Sequence, residues 1–207
     1  MKLKYNAPVT LTFALTATLV LLTDQYIIPG LIEALFTAEG SLTFSYNNIP
    51  AYIRMFTHVL GHSGWDHLLS NLTLILLLGP VLEEKYGSKS VAWMMVITAF
   101  INGLVNAFFF KTALQGSSGI AFMMILMVSF ANIQKGEFPL SAILVVGLYL
   151  VKEILAIFRY DDISQISHLI GAACGAVFGF SRTVASRNPA PVKPPQINSG
   201  QGQTIPN

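Results

Sequence analysis

The chain has 207 residues, of which 53% are hydrophobic and 11% are charged, with a formal net charge of +2 at pH 7. Because a soluble domain carries about 25% charged residues, this composition excludes an ordinary soluble protein and indicates an integral membrane protein. The near-neutral charge predicts no nucleic-acid partner. A single cysteine, Cys174, excludes an intramolecular disulfide.

Six apolar runs predict an all-α bundle of six membrane-spanning helices. A basic N-terminus precedes the first run without a clear cleavage site, so we expect an uncleaved first span. The second and fourth runs are shorter than the roughly 20 residues needed to cross a bilayer, and we expect these spans to start below the membrane surface or to be shielded by neighbours. The predicted spans are residues 8–28, 67–82, 90–110, 118–133, 139–158 and 163–180.

Two segments outside the spans have distinct compositions. Residues 29–66 mix ionisable and aromatic side chains, which predicts a long folded loop lying partly in the membrane interface between helices 1 and 2. Residues 182–207 are rich in Pro, Asn, Gln and Gly and predict a disordered tail. The expected organisation is therefore a membrane domain over residues 1–181 followed by this tail.

Basic residues in the connections predict the orientation, since cytoplasmic loops are enriched in Lys and Arg. With six spans, eight of the twelve basic residues fall on the side that holds both termini, and three fall on the other side. We therefore expect a multi-pass protein of the plasma membrane with cytoplasmic termini and a cytoplasmic tail.

A G-x-S-G turn lies between the third and fourth apolar runs, at residues 116–119. Glycine on either side permits a tight bend and close approach of other atoms. Ser118 would open a helix, where unpaired backbone N–H groups and the positive end of the helix dipole favour a developing negative charge. This placement suits a nucleophile, although small residues are also common in membrane helices.

Polar residues recur near the starts of spans 2, 4 and 6. His67 and Asn71 are four residues apart on one helical face, Ser118 opens span 4, and His168 lies about one turn into span 6. Even-numbered spans run in the same direction, so these groups share one depth and one side of the membrane. The charge distribution predicts that the shared site opens toward the outer side.

A glycine stripe follows His168 and supports this convergence. Gly171, Gly175 and Gly179 repeat every four residues, which lets span 6 pack closely on a neighbouring helix. If that neighbour is span 4, His168 comes within hydrogen-bond reach of Ser118. The alternative interpretation is that the glycines serve helix packing alone. The two interpretations are compatible, since packing would also position His168.

These motifs together resemble the signature of rhomboid intramembrane serine proteases. Segment 62–71, HSGWDHLLSN, resembles their H-x-x-x-x-H-x-x-x-N motif, segment 116–119 resembles their G-x-S-G, and segment 168–175, HLIGAACG, resembles their H-x-x-G-x-x-x-G. Glu83 and Gly87 are similar to the acidic-to-glycine turn of the family. The resemblance implies a six-span bundle that hydrolyses peptide bonds of transmembrane protein substrates within the lipid bilayer.

The resemblance also implies roles for individual residues. Ser118 would be the nucleophile, and His168 would be the general base and then the acid that protonates the leaving amine. No cofactor and no metal is implied. Asp161 and Asp162 are better read as a cap of span 6 than as a third catalytic member.

Other residues would support this Ser–His dyad. His67, Asn71 and the backbone N–H of Ser118 would form the oxyanion hole. Gly116 would let the loop approach the substrate, and His62 would brace the surrounding hydrogen-bond network. His58 is better read as structural.

Two positions depart from the family pattern. Ile53 precedes Arg54 where the family often has Trp. Phe122 occupies a position where well-studied members carry an aromatic hydroxyl that stacks on the catalytic histidine. The stack is expected to persist without the hydroxyl. The surroundings of His168 would then differ from those in the family, while the Ser–His reaction stays the same.

Three other functions compete with this interpretation. A zinc hydrolase could use His62, His67 and His168 as nitrogen ligands, but the chain lacks an H-E-x-x-H helix. A catalytically silent relative would bind membrane clients, but such proteins usually lose the serine or the histidine. A transporter fits the number of spans, but no inverted repeat is visible. The sequence does not indicate the physiological substrate or the oligomeric state.

Overall fold

The computed structural model describes residues 5–131 and 162–187 and six residues between them (140, 143, 144, 147, 148 and 151), and these residues are almost entirely helical. In chain order, the helices are α1 Pro8–Tyr26, α2 Leu31–Leu35, α3 Ile49–Thr57, a 3₁₀ turn His58–Leu60, α4 Trp65–Tyr86, α5 Ser88–Phe109, α6 Ser118–Ala131 and α7 Asp162–Arg187.

Three of these helices, α1, α4 and α5, are long and apolar enough to cross a membrane. Residues 118–129 of α6 and 166–181 of α7 form shorter apolar stretches. The predicted all-α polytopic membrane bundle is therefore confirmed, while the count of six spans remains a prediction. Most of the fifth predicted span, residues 139–158, lies outside the described residues.

Helix α6 lies at the centre of the bundle. All residues from Ile120 to Met127 are buried, so this helix is covered on every side over two turns. Its most extensive contacts are with α7 and then with α4. A helix that is apolar all round is suited to such a position. The bundle therefore packs its other helices around the one that begins at Ser118.

The predicted folded loop between the first two spans contains α2, α3 and the 3₁₀ turn. Arg54 forms an ion pair with Glu39 and donates a hydrogen bond to the carbonyl oxygen of Ala34 at 3.1 Å. Ala38 pairs with Leu114 in an antiparallel bridge, with both N–H···O distances at 2.9 Å. The Arg54 contacts hold the loop together, and the Ala38–Leu114 bridge fastens it to the segment that precedes α6.

The expectation that the second span is short was wrong. Helix α4 has 22 residues, because it begins two residues before His67 and continues past the acidic residues to Tyr86. Glu83 does not end the helix because its carboxylate is buried and accepts hydrogen bonds from the backbone N–H groups of Val9 (3.2 Å) and Thr10 (2.7 Å). The chain then reverses at Gly87, whose φ of +80° favours glycine.

The last helix is longer than the apolar run that predicts it. Helix α7 extends to Arg187, so residues 182–187, which the sequence assigns to the tail, are helical. They contain no Gly or Pro, and the first helix-breaking residue beyond them is Pro189. The predicted tail from residue 188 onward lies outside the described residues.

Candidate active site

The turn before α6 is held against α4 through a glycine. Gly116 has a φ of +111°, and its N–H donates a hydrogen bond to the carbonyl oxygen of His58 at 3.0 Å. A methyl group added at Gly116 would lie 2.6 Å from Nε2 of His67 and 3.7 Å from Nδ2 of Asn71. Only glycine fits this position without displacing His67, so the turn lies directly beside His67 and Asn71 of α4.

Glycines also bring α6 and α7 into close contact. A methyl group at Gly171 would overlap the carbonyl oxygen of Gly119, and one at Gly175 would overlap that of Met123. The neighbour of the α7 glycine stripe is therefore α6, the helix that begins at Ser118. This packing is the arrangement needed to bring His168 toward Ser118.

The imidazole of His168 stacks on Phe122. Their ring centroids are 4.2 Å apart and the planes differ by 8°. Phe122 is four residues after Ser118, so both lie on one face of α6. The carbonyl oxygen of Ser167 lies 3.3 Å from a methyl group added at Gly119. Ser118 and His168 therefore lie on the facing surfaces of two helices in contact, and both are partly exposed.

His62 lies buried beside the same turn. Its Nδ1 is 3.3 Å from the carbonyl oxygen of Leu60, and its Nε2 is 3.2 Å from Oγ of Ser117. Burial lowers the pKa of His62 to about 4, and the nearby His67 contributes in the same direction. His62 is therefore neutral at pH 7.

His67 and Asn71 face the turn from α4. The His67 ring contacts the His62 ring edge to face at 5.0 Å, and its Nδ1 lies 3.1 Å from Oγ of Ser63. Asn71 is buried, and among the described residues no acceptor binds its Nδ2. Because a buried polar group without a partner is rare, this amide is a donor available to a bound group.

A polar cavity of about 390 Å³ adjoins these residues. Its lining includes His62, Ser63 and Gln115, which directly precede α4 and α6, together with the carboxylates of Asp24 and Glu33. The cavity therefore lies beside the segments that lead into α4 and α6.

Further polar residues at this site were missed by the sequence analysis. Asn102 of α5 donates to the carbonyl oxygen of Thr98 at 3.0 Å and accepts a hydrogen bond from Ser167 at 2.8 Å. Asn106 donates to two backbone carbonyls, those of Glu39 and Thr112. The sequence carried a signal for these residues, because Thr98, Asn102 and Asn106 recur at intervals of four inside an apolar run.

His58 has the structural surroundings that its sequence position suggests. Its Nε2 is 3.1 Å from the carbonyl oxygen of Ala99, and the ring is buried. Burial lowers the pKa of His58 to about 4. Over the described ranges 5–131 and 162–187, no group of three or more His, Cys, Asp or Glu side chains is arranged to hold a metal ion.

The fold and this cluster define a helical membrane protein with serine, histidine and asparagine side chains near the starts of neighbouring helices. A sequence model of the rhomboid domain matches residues 50–184, which is more than half of the chain. The chain belongs to the rhomboid family.

Comparison with characterised sequences gives distant relatives. Rhomboid-like protein 11, chloroplastic, of Arabidopsis thaliana is 22% identical over 150 residues, or 65% of this chain and 54% of the relative. RHOMBOID-like protein 1 of the same plant is 25% identical over 133 residues, which cover 61% of this chain and 33% of the relative. Rhomboid protease GlpG of Enterobacter sp. (strain 638) is 28% identical over 140 residues, or 65% and 50%. The chain thus spans about half or less of the length of these relatives.

Proposed function

We propose that this protein is an intramembrane serine endopeptidase with Ser118 as its nucleophile and His168 as its general base. The observation that carries the proposal is the stack of His168 on Phe122, one turn after Ser118, across the glycine contact between α6 and α7. Family membership and the name of the GlpG relatives support the reaction class.

In the proposed reaction, His168 accepts the proton of the Ser118 hydroxyl as Oγ attacks the carbonyl carbon of the substrate peptide bond. The tetrahedral intermediate collapses when protonated His168 gives its proton to the leaving amine. Water then attacks the acyl ester on Ser118 while His168 accepts a proton from it. The C–Oγ bond breaks as His168 returns this proton to Ser118 Oγ, which releases the new carboxyl end and restores the free serine. Phe122 holds the imidazole plane through both steps.

The negative oxygen of the intermediate would be held by donors that face the turn. Nδ2 of Asn71 is buried without an acceptor, and Nε2 of His67 lies beside Gly116. The backbone N–H of Ser118, at the start of α6, would be the third donor. Fixed donors of this kind stabilise the transition state because they need no reorganisation during the reaction.

The substrates we propose are transmembrane proteins in the lipid bilayer. A helical substrate has its backbone amides already paired, so it must partly unwind before a carbonyl reaches Ser118. The polar cavity beside His62 and Ser63 would supply water for hydrolysis. With the basic residues cytoplasmic, the site opens toward the outer side of the plasma membrane.

Covalent labelling tests the nucleophile. A fluorophosphonate probe should label Ser118, and His168→Ala should abolish the labelling because the serine loses its base. Ser129→Ala, which removes a hydroxyl bonded to its own helix at the carbonyl oxygen of Ile125, is the matched control and should leave labelling intact. Labelling that is indifferent to His168 would contradict the dyad.

Two further assays separate the rival functions. Ser118→Ala should abolish cleavage of a transmembrane substrate, whereas a catalytically silent relative would keep its client-binding function in this variant. A zinc hydrolase would lose its activity to a chelator, and we expect cleavage to be insensitive to chelation.

A further inference from the structure

A second serine in the turn has no part in the proposed reaction. Ser117 directly precedes Ser118, yet its side chain is completely buried, and its Oγ lies 3.2 Å from Nε2 of His62. A buried hydroxyl must be satisfied by partners within the protein. This contact is therefore a fixed part of the fold and is not available to a substrate.

The direction of the hydrogen bond follows from the surroundings of His62. Nδ1 faces the carbonyl oxygen of Leu60, which can only accept, so Nδ1 carries the proton. His62 is neutral at pH 7 because its burial disfavours the charged form. Nε2 then has a lone pair, and the hydroxyl of Ser117 must donate to it.

The bond joins two parts of the proposed site. Ser117 belongs to the turn that presents Ser118, whereas His62 belongs to the segment that leads into α4. The His62 ring also contacts His67 edge to face at 5.0 Å. A neighbouring backbone bond, from Gly116 N–H to the carbonyl oxygen of His58, holds the same two segments at a second point.

We propose that Ser117 is a positioning residue that, by donating to His62, fixes the nucleophile turn relative to the oxyanion donors on α4. The inference rests on the proposed dyad, since it gives Ser117 the task of keeping Ser118 aligned with His67 and Asn71. Ser117 touches neither the substrate nor the reacting atoms and acts only through His62.

Kinetics of a transmembrane substrate test this role. Ser117→Ala should lower kcat about tenfold, the loss expected for one buried hydrogen bond, with KM nearly unchanged. Ser117→Thr, which keeps a hydroxyl, should recover part of kcat, and Ser129→Ala should match the unmodified protein. Loss confined to KM, or an unchanged kcat in Ser117→Ala, would overturn the proposal.

A double-mutant cycle tests whether the effect passes through His62. If it does, Ser117→Ala combined with His62→Ala should lose no more kcat than His62→Ala alone. Losses that multiply would show that Ser117 acts independently of His62 and would overturn the proposal.

Imidazole ¹⁵N NMR provides a readout that does not depend on catalysis. His62 should carry its proton on Nδ1, and its Nε2 resonance should shift in Ser117→Ala, including in a Ser118→Ala background. A protonated Nε2, or a resonance insensitive to Ser117, would overturn the inference. Cleavage that survives in Ser118→Ala would instead overturn the proposed function, so the two failures are distinguishable.

Discussion

At the scale of single residues, the informative feature is a buried donor without an acceptor. Leaving such a group unsatisfied costs about 1–3 kcal/mol, so a fold tolerates it where a ligand or a reaction intermediate can bind. Nδ2 of Asn71 meets this description among the described residues, and it lies next to the turn that precedes Ser118. The oxyanion role that the sequence motif implies therefore has independent physical support, although it stays a prediction.

Replacing Asn71 with alanine should reduce kcat by about 10²–10³, because a donor to the oxyanion is lost, while KM changes little. The fold should be retained, since no side-chain bond of Nδ2 is broken in the free protein. Thr73→Ala is the control on the same helix, where an exposed hydroxyl donates to the carbonyl oxygen of Leu69. Steady-state kinetics that show equal losses in both variants would contradict the role of Asn71.

Phe122→Ala should lower the rate of fluorophosphonate labelling at Ser118 roughly tenfold, because stacking of rings contributes about 0.5–1.5 kcal/mol and orients the His168 imidazole that activates the serine. Phe122→Tyr should keep the stack and most of the activity. The rate of fluorophosphonate labelling at Ser118 provides the measurement. Unchanged labelling in Phe122→Ala would mean that α7 alone orients the histidine.

At the scale of helices, two contacts hold α6 and α4 in place. Glu83 near the end of α4 accepts bonds from two backbone N–H groups in the first turn of α1 and from the Thr10 hydroxyl at 2.6 Å. These N–H groups have no partner within α1, so the carboxylate acts as a cap supplied by another helix. Gly119 and Gly171 provide the equivalent close contact between α6 and α7.

Glu83→Gln should lower the free energy of unfolding by about 1–3 kcal/mol, because the amide NH₂ would replace an acceptor that faces N–H donors. Glu84→Gln is the matched control, since Glu84 is the exposed neighbour. Thermal unfolding in detergent micelles measures both variants. Equal stability of the two would show that the cap contributes nothing.

Gly171→Ala should destabilise the bundle by about 1–3 kcal/mol, because the added methyl group overlaps the carbonyl oxygen of Gly119 and forces α6 and α7 apart. Cleavage should fall as well, since separation of these helices moves His168 away from Ser118. Thermal unfolding measures the loss of stability, and an unaffected Gly171→Ala would refute the packing argument.

At the scale of the whole molecule, the segment 58–62 is bonded to two other parts of the bundle, α5 and the turn before α6. His58 binds the carbonyl oxygen of Ala99 in α5 through its ring, and its own carbonyl oxygen accepts the Gly116 N–H. His62 binds the turn through Ser117. Both imidazoles are buried in the neutral form, so the stability of the assembly is linked to pH.

Stability should fall as the pH is lowered from about 6.5 toward 4. The pKa values of His58 and His62 are depressed to about 4 in the folded protein, so the unfolded chain binds more protons within this window. The contribution is fully present above the unfolded pKa of about 6.5. Thermal unfolding from pH 7.5 to 4.5 should show the decline, and His62→Gln should make it shallower. A constant stability across this range would contradict the neutral, buried state.

The sequence by itself determined the membrane class, the helical architecture and the family, because apolar runs and motif spacing are local properties of the chain. It also indicated that the motifs lie at one depth in the membrane, since the even-numbered spans all run in the same direction. The family resemblance also implied the stack of His168 on Phe122. Only the tertiary structure decided that the glycine stripe of α7 packs on α6, that Ser117 pairs with His62, and that α4 has its full length. The sequence analysis ended the second span before Glu83, because a charged side chain normally lies in water. In the structure, contact with the first turn of α1 buries Glu83 within α4. Such partners are distant in the chain, and no local pattern encodes them.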